Sequence, residues 1–365
     1  MHTVKEVIHA LNTFAPPQLA ESWDHVGLMV GSEKAEVKRV LCALDLNLEV
    51  IDEAIRIGAQ MIVTHHPLLF KPIHSIQYDT PMGQMLYRLI KNDLTVFSMH
   101  TNFDIVQGGI NDYLAHQLGL TSIKPLQVTA SNKFQKLIVY VPQSHYESVR
   151  DAIIQSNKAT IGQYSGCTFG SEGIGTFIPL EGSHPYRGET HQLEQVQEVK
   201  LECMVHPNQL QELMAIIQNV HPYEEIAYDV YNLENVKQVE GIGRVGTCET
   251  MQVKDVIQRL KQIFNIPYVR LVGKEDQKIS KVALCSGSGG SLISQAAHEA
   301  DLYITGDVSF HQAQEAISKG LVVVDVGHYA SENIAMPIIE KYLKNHFQDM
   351  EVVCSKVNGE TFQTL

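Results

Sequence analysis

Short apolar segments alternate with longer amphipathic segments through the first third of the chain. Residues 40–44, 61–63 and 94–100 are mainly apolar runs, and we interpret them as buried strands. Helical spacing of apolar residues predicts helices at residues 4–13, 48–57 and 82–91. Strands that alternate with helices in this way predict a parallel sheet with both faces covered.

The pattern changes between residues 133 and 235. There the order is strand, helix, two strands, helix and strand, which is typical of a ferredoxin-like fold. The strand–helix alternation returns at Gly241. We therefore predict an α/β core in two parts with mostly parallel sheets, formed by residues 1–130 and 237–365. An inserted α+β ferredoxin-like domain, residues 133–235, would interrupt this core.

Two adjacent histidines stand at the end of the strand predicted at residues 61–63. His65 and His66 are followed by Pro67, which cannot continue strand pairing. Neighbouring side chains on a strand point to opposite faces. Both imidazoles therefore reach one centre only where the backbone turns, or where two metal ions lie side by side.

Two other predicted strands also end in residues that can bind a metal ion. His100 and Asp104 follow one of them, and His328 and Glu332 follow the other. The last two are four residues apart, so a helix would place them on one face. Imidazoles with carboxylates suit zinc, iron, manganese or cobalt, and a carboxylate can bridge two ions. Two ions can jointly activate a water molecule for hydrolysis.

Several further residues have two interpretations each. His100 either binds the metal or orients a ligand, and Asp307 and His311 are candidates for orienting ligands or contacting substrate. The remaining candidates for substrate binding are Trp23, Asp24, Ser286 and Gly287. Trp23 and Asp24 line a cavity or pack on the first helix. The glycine-rich segment at 286–290 contacts phosphate or only forms a tight turn. Residues 221–225 form a second ligand site or a turn leading into a strand.

Composition narrows the class of protein. The formal net charge of −13 argues against a protein that coats nucleic acid, because such binding depends on lysine and arginine. No apolar run has the length of a signal peptide or a membrane span, so we expect a cytoplasmic protein without a membrane partner. The six cysteines are scattered and are interpreted as buried thiols, with a zinc–thiolate site as the alternative.

Five short segments resemble the signature stretches of the GTP cyclohydrolase 1 type 2 homologues, also called the NGG-interacting-factor-three-like family. They are WDHVG at 23–27, THHPL at 64–68, HTNFD at 100–104, TGD at 305–307 and GHYASE at 327–332. The resemblance covers both outer parts of the chain. The middle part resembles the small domain that some bacterial members of the family carry. That small domain is similar to the PII and CutA proteins, and residues 221–226 carry the likeness to CutA.

The resemblance implies a function and an assembly. His65, His66, Asp104, His328 and Glu332 would hold two divalent metal ions per chain, with zinc expected and iron or manganese as alternatives. The subunits would form a toroidal homohexamer. The family name implies a hydrolase that opens the guanine ring of GTP and releases formate, although another nucleotide or small molecule is also compatible with the site. The alternative is a non-catalytic metal-binding scaffold or regulator with a PII-like effector domain.

Overall fold

The computed structural model describes residues 2–161 and 164–363, and the chain divides into two compact units. The core unit consists of Met1–Ala130 and Glu240–Leu365, and the middle unit is Ser131–Val239. Helices and strands are mixed throughout the chain, which confirms the predicted fold class. That the middle unit is an independently stable inserted domain stays a prediction.

The first sheet of the core unit is mostly parallel. Its strands, in spatial order, are Glu351–Cys354, Arg39–Ala43, Met61–Thr64, Thr95–Ser98 and Gly27–Val30. Only the Gly27–Val30 strand is antiparallel to its neighbour among these described strands. The helices of this part are Val4–Phe14, Leu48–Ile57, Pro81–Lys91, Thr101–Ile105, Ile110–Gln117 and Ala335–His346.

Both faces of this sheet are buried. Val40 and Val63 pack in one apolar cluster with the Val4–Phe14 helix, whereas Leu41 and Ile62 pack in another with the helices on the opposite face. Successive strand residues therefore enter different clusters. This explains why the strands read as unbroken apolar runs rather than as alternating ones.

Local capping sets where the histidine-bearing strand begins. The side chain of Asn47 accepts a hydrogen bond from the Val50 N–H at 2.9 Å and starts the Leu48–Ile57 helix. Gly58 ends that helix in the left-handed conformation, with φ of 68°. The chain then returns as the Met61–Thr64 strand, whose end presents His65 and His66.

The second sheet of the core unit has a parallel centre. Its strands, in spatial order, are Tyr228–Gln252, Lys278–Leu284, Leu302–Thr305, Val322–Asp325 and Arg270–Val272. The three central strands are parallel, and the outer two are antiparallel to their neighbours. The associated helices are Val253–Phe264, Ile293–Glu299, Phe310–Ser318 and His328–Asn333. The His328–Asn333 helix carries both His328 and Glu332, as their spacing predicted.

The middle unit has the predicted order of strands and helices. Its sheet contains Thr168–Phe177 and Glu194–Val205, together with parts of the long strands Thr121–Pro142 and Tyr228–Gln252. The helices Tyr146–Gln155 and Leu210–Gln218 pack their apolar residues with those of the strands. Two short strands, Thr160–Ile161 and Tyr164–Ser165, pair with each other.

The glycine-rich stretch of the middle unit forms one long strand. Thr168–Phe177 is paired throughout with Glu194–Val205. Two of its glycines leave room for neighbouring side chains: a Cβ atom on Gly170 would lie 2.8 Å from the Tyr146 hydroxyl oxygen. A Cβ atom on Gly175 would lie 2.1 Å from Oε2 of Glu198.

Two predicted absences can be examined in the described residues. No helix within residues 2–161 and 164–363 is long and apolar enough to span a membrane. All six cysteines are free. Cys42, Cys203 and Cys285 are buried as predicted, but Cys167, Cys248 and Cys354 are only partly buried, so for these three the prediction of a buried thiol is wrong. No close group of metal-binding side chains in the described part of the chain contains a cysteine, which favours the interpretation as thiols.

We expect the core unit to fold and bind metal after residues 131–239 are replaced by a short linker. A Cβ atom on Gly241 would lie 2.1 Å from the carbonyl oxygen of Gln127, so the two ends to be joined are close together. Circular dichroism and elemental analysis, with the full-length chain as control, would check this. An insoluble or metal-free product would contradict the proposed division.

Candidate metal centre

The ends of strands from both sheets of the core unit meet at one site. The Met61–Thr64 strand leads into His65 and His66, and the Thr101–Ile105 helix carries Asp104 after the next strand. From the second sheet, the His328–Asn333 helix contributes His328 and Glu332. The structure therefore brings together all five residues predicted as metal ligands.

The carboxylate of Glu332 lies at the centre of this cluster. Its Oε2 is 3.0 Å from Nε2 of His66 and 2.9 Å from Nε2 of His328. Its Oε1 is 3.8 Å from Nε2 of His65, and Oδ1 of Asp104 is 3.7 Å from the same nitrogen. Glu332, Asp104 and His65 are all buried. The two carboxylates and His65 thus form the buried side of the cluster, whereas the His66 and His328 side chains are 25% and 35% exposed.

Two overlapping groups in the described residues could hold a metal ion. One is His65, His66 and His100, and the other is His66, His328 and Glu332, with the candidate ligand atoms of each group within 4.8 Å of one another. His66 belongs to both groups. His100 therefore lies within the cluster, a position that suits either of its two interpretations.

The four imidazoles share one pattern of hydrogen bonding. Each Nδ1 is bonded to a group outside the cluster, which leaves Nε2 for the centre. The partners are the Met99 carbonyl oxygen for His65 at 2.8 Å, Asp45 for His66 at 2.7 Å, Asp24 for His100 at 2.8 Å and Asp307 for His328 at 2.7 Å. In metalloproteins such bonds fix the tautomer and the orientation of a ligating histidine.

Three buried polar atoms at the centre make no well-formed hydrogen bond, because the 2.9 Å approach of His328 Nε2 to Glu332 Oε2 lacks the alignment of one. They are Nε2 of His65, Nε2 of His328 and Oε2 of Glu332. A buried polar atom left unpaired costs about 1–3 kcal/mol, so several at one point call for an explanation. A cation bound between them would satisfy all three. The donor set therefore fits a divalent metal ion.

The electrostatics of the cluster also suit a cation. Burial lowers the pKa of His66, but the Asp45 hydrogen bond and contact with Glu332 outweigh it and raise that pKa to about 10. Contact with Glu332 raises the pKa of His328 to about 9 despite burial. Burial would raise the pKa of Glu332, yet the surrounding imidazoles hold it well below its ordinary value. The site is thus negative enough to favour positive charge.

The predicted supporting residues separate into two sets. Asp307 and Asp24 contact the imidazoles of His328 and His100, so both lie where an orienting residue is needed. Burial opposes ionisation of Asp24, but hydrogen bonds with His100 and Thr101 lower its pKa to about 2. His311 is exposed and its ring contacts Phe310; none of its contacts in the described structure reaches the cluster.

Trp23 borders the site. Its side chain is 53% exposed, and its ring centroid lies 6.0 Å from that of His100 and 5.8 Å from that of Phe70. It therefore stands beside His100 with half of its side chain exposed, and it is not packed into the core with the first helix.

The glycine-rich segment supports the cluster from the second sheet. The Ser286 N–H donates to Oδ1 of Asn111 at 2.8 Å, and the Gly287 N–H donates to Oγ of Ser331 at 2.9 Å. The Ser286 hydroxyl donates to Asp104 at 3.4 Å. Because these backbone donors are already engaged, the contacts favour the tight-turn interpretation over a phosphate-binding loop.

Sequence reasoning missed Asp45 and Asn111. Asp45 lies two residues after the end of the Arg39–Ala43 strand. A search for polar residues at strand ends, which identified His65 and His66, would therefore have identified Asp45 as well. Asn111 lies within the Ile110–Gln117 helix and is fully buried, and it also donates to the Asp104 carbonyl oxygen at 3.0 Å. No sequence pattern distinguishes it from an ordinary helix residue.

A cavity of about 810 Å³ opens onto the cluster. His66, His328 and Asp307 form part of its wall, and Tyr268 and Arg270 lie on the wall formed by the second sheet. Arg270 also pairs with Asp325 at 2.9 Å. Cavities of this size commonly hold small-molecule ligands. The cluster is therefore accessible to a substrate.

Comparison with known proteins gives a consistent result. The GTP cyclohydrolase 1 type 2 homolog of Halalkalibacterium halodurans is 40% identical over 361 residues, which cover 98% of this chain and 97% of that protein. The protein of the same name from Bacillus subtilis is 40% identical over 332 residues, covering 90% of this chain and 88% of that one. The crystal structure of a Bacillus cereus protein related to NIF3 is 36% identical, with a TM-score of 0.91, and the match covers 100% of this chain and 99% of that one. Residues 2–360 match the family described as Duf34/NIF3 (NGG1p interacting factor 3), and the chain belongs to that family.

Proposed function

We propose that the cluster holds two divalent metal ions and that the chain is a metal-dependent hydrolase. The observation that carries the proposal is the set of unpaired buried atoms, Nε2 of His65, Nε2 of His328 and Oε2 of Glu332. His66 lies in both candidate groups, which supports two neighbouring ions rather than one. In the proposed site His65, His66, Asp104, His328 and Glu332 are the ligands.

Zinc is the metal we propose, with iron or manganese as alternatives. Histidine nitrogen and carboxylate oxygen are ligands that all three metals accept. Neither candidate group in the described residues contains a cysteine, and a thiolate ligand would have favoured zinc more strongly. Metal identity in the cell also depends on supply, so the number of ions is the more direct test of the site.

The protein residues have separable roles in such a reaction. A bound metal would supply a water molecule with a pKa near about 7 and a positive charge for the developing anion. The outer bonds to Asp45, Asp24 and Asp307 hold the imidazoles with Nε2 towards the centre. His100 and Trp23 stand at one side of the cluster, with the His100 ring centroid 5.2 Å from that of His65 and 6.0 Å from that of Trp23.

For the substrate we propose GTP, opened at its guanine ring with release of formate. The support is the name carried by the relatives from Halalkalibacterium halodurans and Bacillus subtilis. The cavity supplies one cation at its wall, Arg270, whose side chain is 68% exposed and so open to an anionic group of a ligand. The same centre is chemically suited to phosphoester or amide hydrolysis, so the assay must include them.

We also propose the homohexamer that family resemblance implies. Its support is the match along almost the whole chain to the NIF3 family. Light scattering on the purified full-length protein would give the mass of the assembly directly, and a monomeric mass would overturn the proposal.

The test combines metal analysis with an activity screen. Elemental analysis of the purified protein should give about two ions per chain, and a His65→Ala/His66→Ala variant should lose them. His311→Ala is the matched control, because His311 is exposed and outside both groups. Metal-loaded protein is then incubated with GTP and with a panel of phosphoesters and amides.

Formate from GTP in the wild type and the control, but not in the double variant, would support the full proposal. Turnover of another compound would keep the hydrolase and replace the substrate. Two ions without any turnover would overturn the hydrolase and favour a non-catalytic scaffold. Absence of bound metal in the wild type after metal loading would overturn the site itself.

A further inference from the structure

A second cavity lies entirely within the middle unit. Its volume is about 780 Å³, and its walls come from the end of the Thr168–Phe177 strand, the segment that follows it and the stretch around Tyr223. None of the metal-site residues contributes to it. The cavity is therefore a separate candidate site for a ligand.

Three aromatic rings stand together at this cavity. Tyr223 is the central one, with ring centroids 6.2 Å from Phe177 and 6.2 Å from Tyr186. The rings are inclined to one another by 65° and 48° rather than stacked in parallel. All three residues line the cavity, and the electron-rich face of an aromatic ring attracts cations.

The charged residues of the cavity are all acidic. Glu198, Glu224 and Glu225 contribute to its wall, and no lysine, arginine or histidine side chain does so among the described residues. The nearest arginine in sequence, Arg187, has its Nε 2.7 Å from Oε1 of Glu194. The cavity therefore disfavours an anion and favours a positive charge.

Glu198 is held in place from two sides. Its Oε1 accepts a hydrogen bond from the Tyr223 hydroxyl at 2.8 Å. Its Oε2 occupies the space that a side chain on Gly175 would fill, since a Cβ there would lie 2.1 Å away. Gly175 thus makes room for the carboxylate beside the aromatic rings. This combination of a fixed carboxylate and aromatic faces resembles the usual composition of a site for organic cations.

The neighbouring histidine is committed to the fold rather than to a ligand. His221 Nε2 donates to the Tyr140 carbonyl oxygen at 3.1 Å, and its Nδ1 accepts from the Tyr223 N–H at 3.2 Å. Both ring nitrogens are therefore used, which favours the turn interpretation of residues 221–225. The bonds also position Tyr223 at the cavity.

We propose that this cavity binds a small organic cation, with an alkylammonium or alkylguanidinium group placed against Tyr223 and Glu198. A bare metal ion fits less well, because both candidate metal groups of the described residues lie in the core unit. The aromatic rings also provide faces but no metal-binding atoms apart from weakly acidic phenol oxygens. An organic cation uses both the rings and the carboxylates.

Calorimetric titration of the full-length protein with choline, and separately with butylguanidinium, tests this proposal. The quaternary nitrogen of choline has no lone pair, so it cannot ligate a metal ion in the core unit. The comparison ligand is the neutral analogue of choline, a dimethylbutanol in which a tert-butyl group replaces the trimethylammonium group. It has nearly the same shape as choline but no charge. We expect saturable binding of at least one of the two cations and binding of the neutral analogue about tenfold weaker or undetectable.

Variants locate the site. Glu198→Gln keeps an acceptor for Tyr223 but removes the charge, and Tyr223→Ala removes the central ring; each should weaken cation binding about tenfold or more. Glu172→Gln is the matched control, since Glu172 is exposed on the Thr168–Phe177 strand, which pairs with the strand of Glu198, and lies outside the cavity. Equal affinity in Glu198→Gln, wild type and control would overturn the proposal, even if Tyr223→Ala misfolds. No binding of either cation, or equal binding of the neutral analogue, would also overturn it.

Discussion

Replacing Glu332 with glutamine is expected to abolish stable metal loading while leaving the core folded. Glu332 places one carboxylate oxygen within 3.0 Å of His66 Nε2 and 2.9 Å of His328 Nε2, so it is the shared point of the cluster. An amide is neutral and offers a single oxygen, which makes it a poorer bridge between ions. Loss of a residue that only hydrogen-bonds a metal ligand weakens metal binding about 10–100-fold. Because Glu332 is proposed as a ligand itself, we expect metal affinity to fall at least about 100-fold in Glu332→Gln.

The matched control is Glu53→Gln. Glu53 is also a buried carboxylate of the core unit, 7% exposed, but it accepts hydrogen bonds from Ser355 and the Lys356 N–H and lies outside both candidate metal groups. This variant should lose some stability without losing metal. Metal affinity is measured by competition with a chelator, and folding by circular dichroism. Unchanged affinity in Glu332→Gln would remove Glu332 from the ligand set.

The position of the site could be predicted from sequence because strand ends are local features. His65 and His66 follow an apolar run, and parallel strands bring their carboxyl ends to one edge of a sheet. The first sheet behaves as this rule requires. The spacing of His328 and Glu332 was equally informative, since both lie on the His328–Asn333 helix.

The support around the site could be predicted only in part. Asp307 was expected to orient a ligand, but that its partner is His328, and that Asp24 holds His100, depends on contacts between separate segments of the chain. Asp24 precedes the first core strands, and nothing in its neighbourhood indicates the partner. His311 shows the opposite error: it is near Asp307 in sequence, yet the Phe310–Ser318 helix leaves it exposed.

Gly287 is a further example, because its importance is steric and not chemical. The sequence suggested either a phosphate contact or a tight turn. In the structure the residue has φ of +62°, and a Cβ atom would lie 1.9 Å from Oε1 of Glu332 and 3.5 Å from Nε2 of His328. Glycine is needed here for the backbone conformation and to leave room for the metal-binding carboxylate.

We therefore expect Gly287→Ala to disrupt the metal site more than it destabilises the fold. The added methyl group collides with Glu332, which is 4% exposed and has little room to move. The left-handed conformation alone costs a non-glycine residue about 1–2 kcal/mol. Displacement of Glu332 should add to this a loss of metal affinity of at least about tenfold, comparable with removal of a supporting residue.

Gly320→Ala separates the two effects. Gly320 has a similar φ of +70°, but a Cβ atom there would meet nothing within 4 Å. Both variants should lose about 1–2 kcal/mol in urea unfolding of the metal-free protein, since both force alanine into the same region. Only Gly287→Ala should lose metal in chelator competition. Equal metal affinity in the two variants would show that Glu332 moves freely, and it would argue against a site that depends on the observed position of its carboxylate.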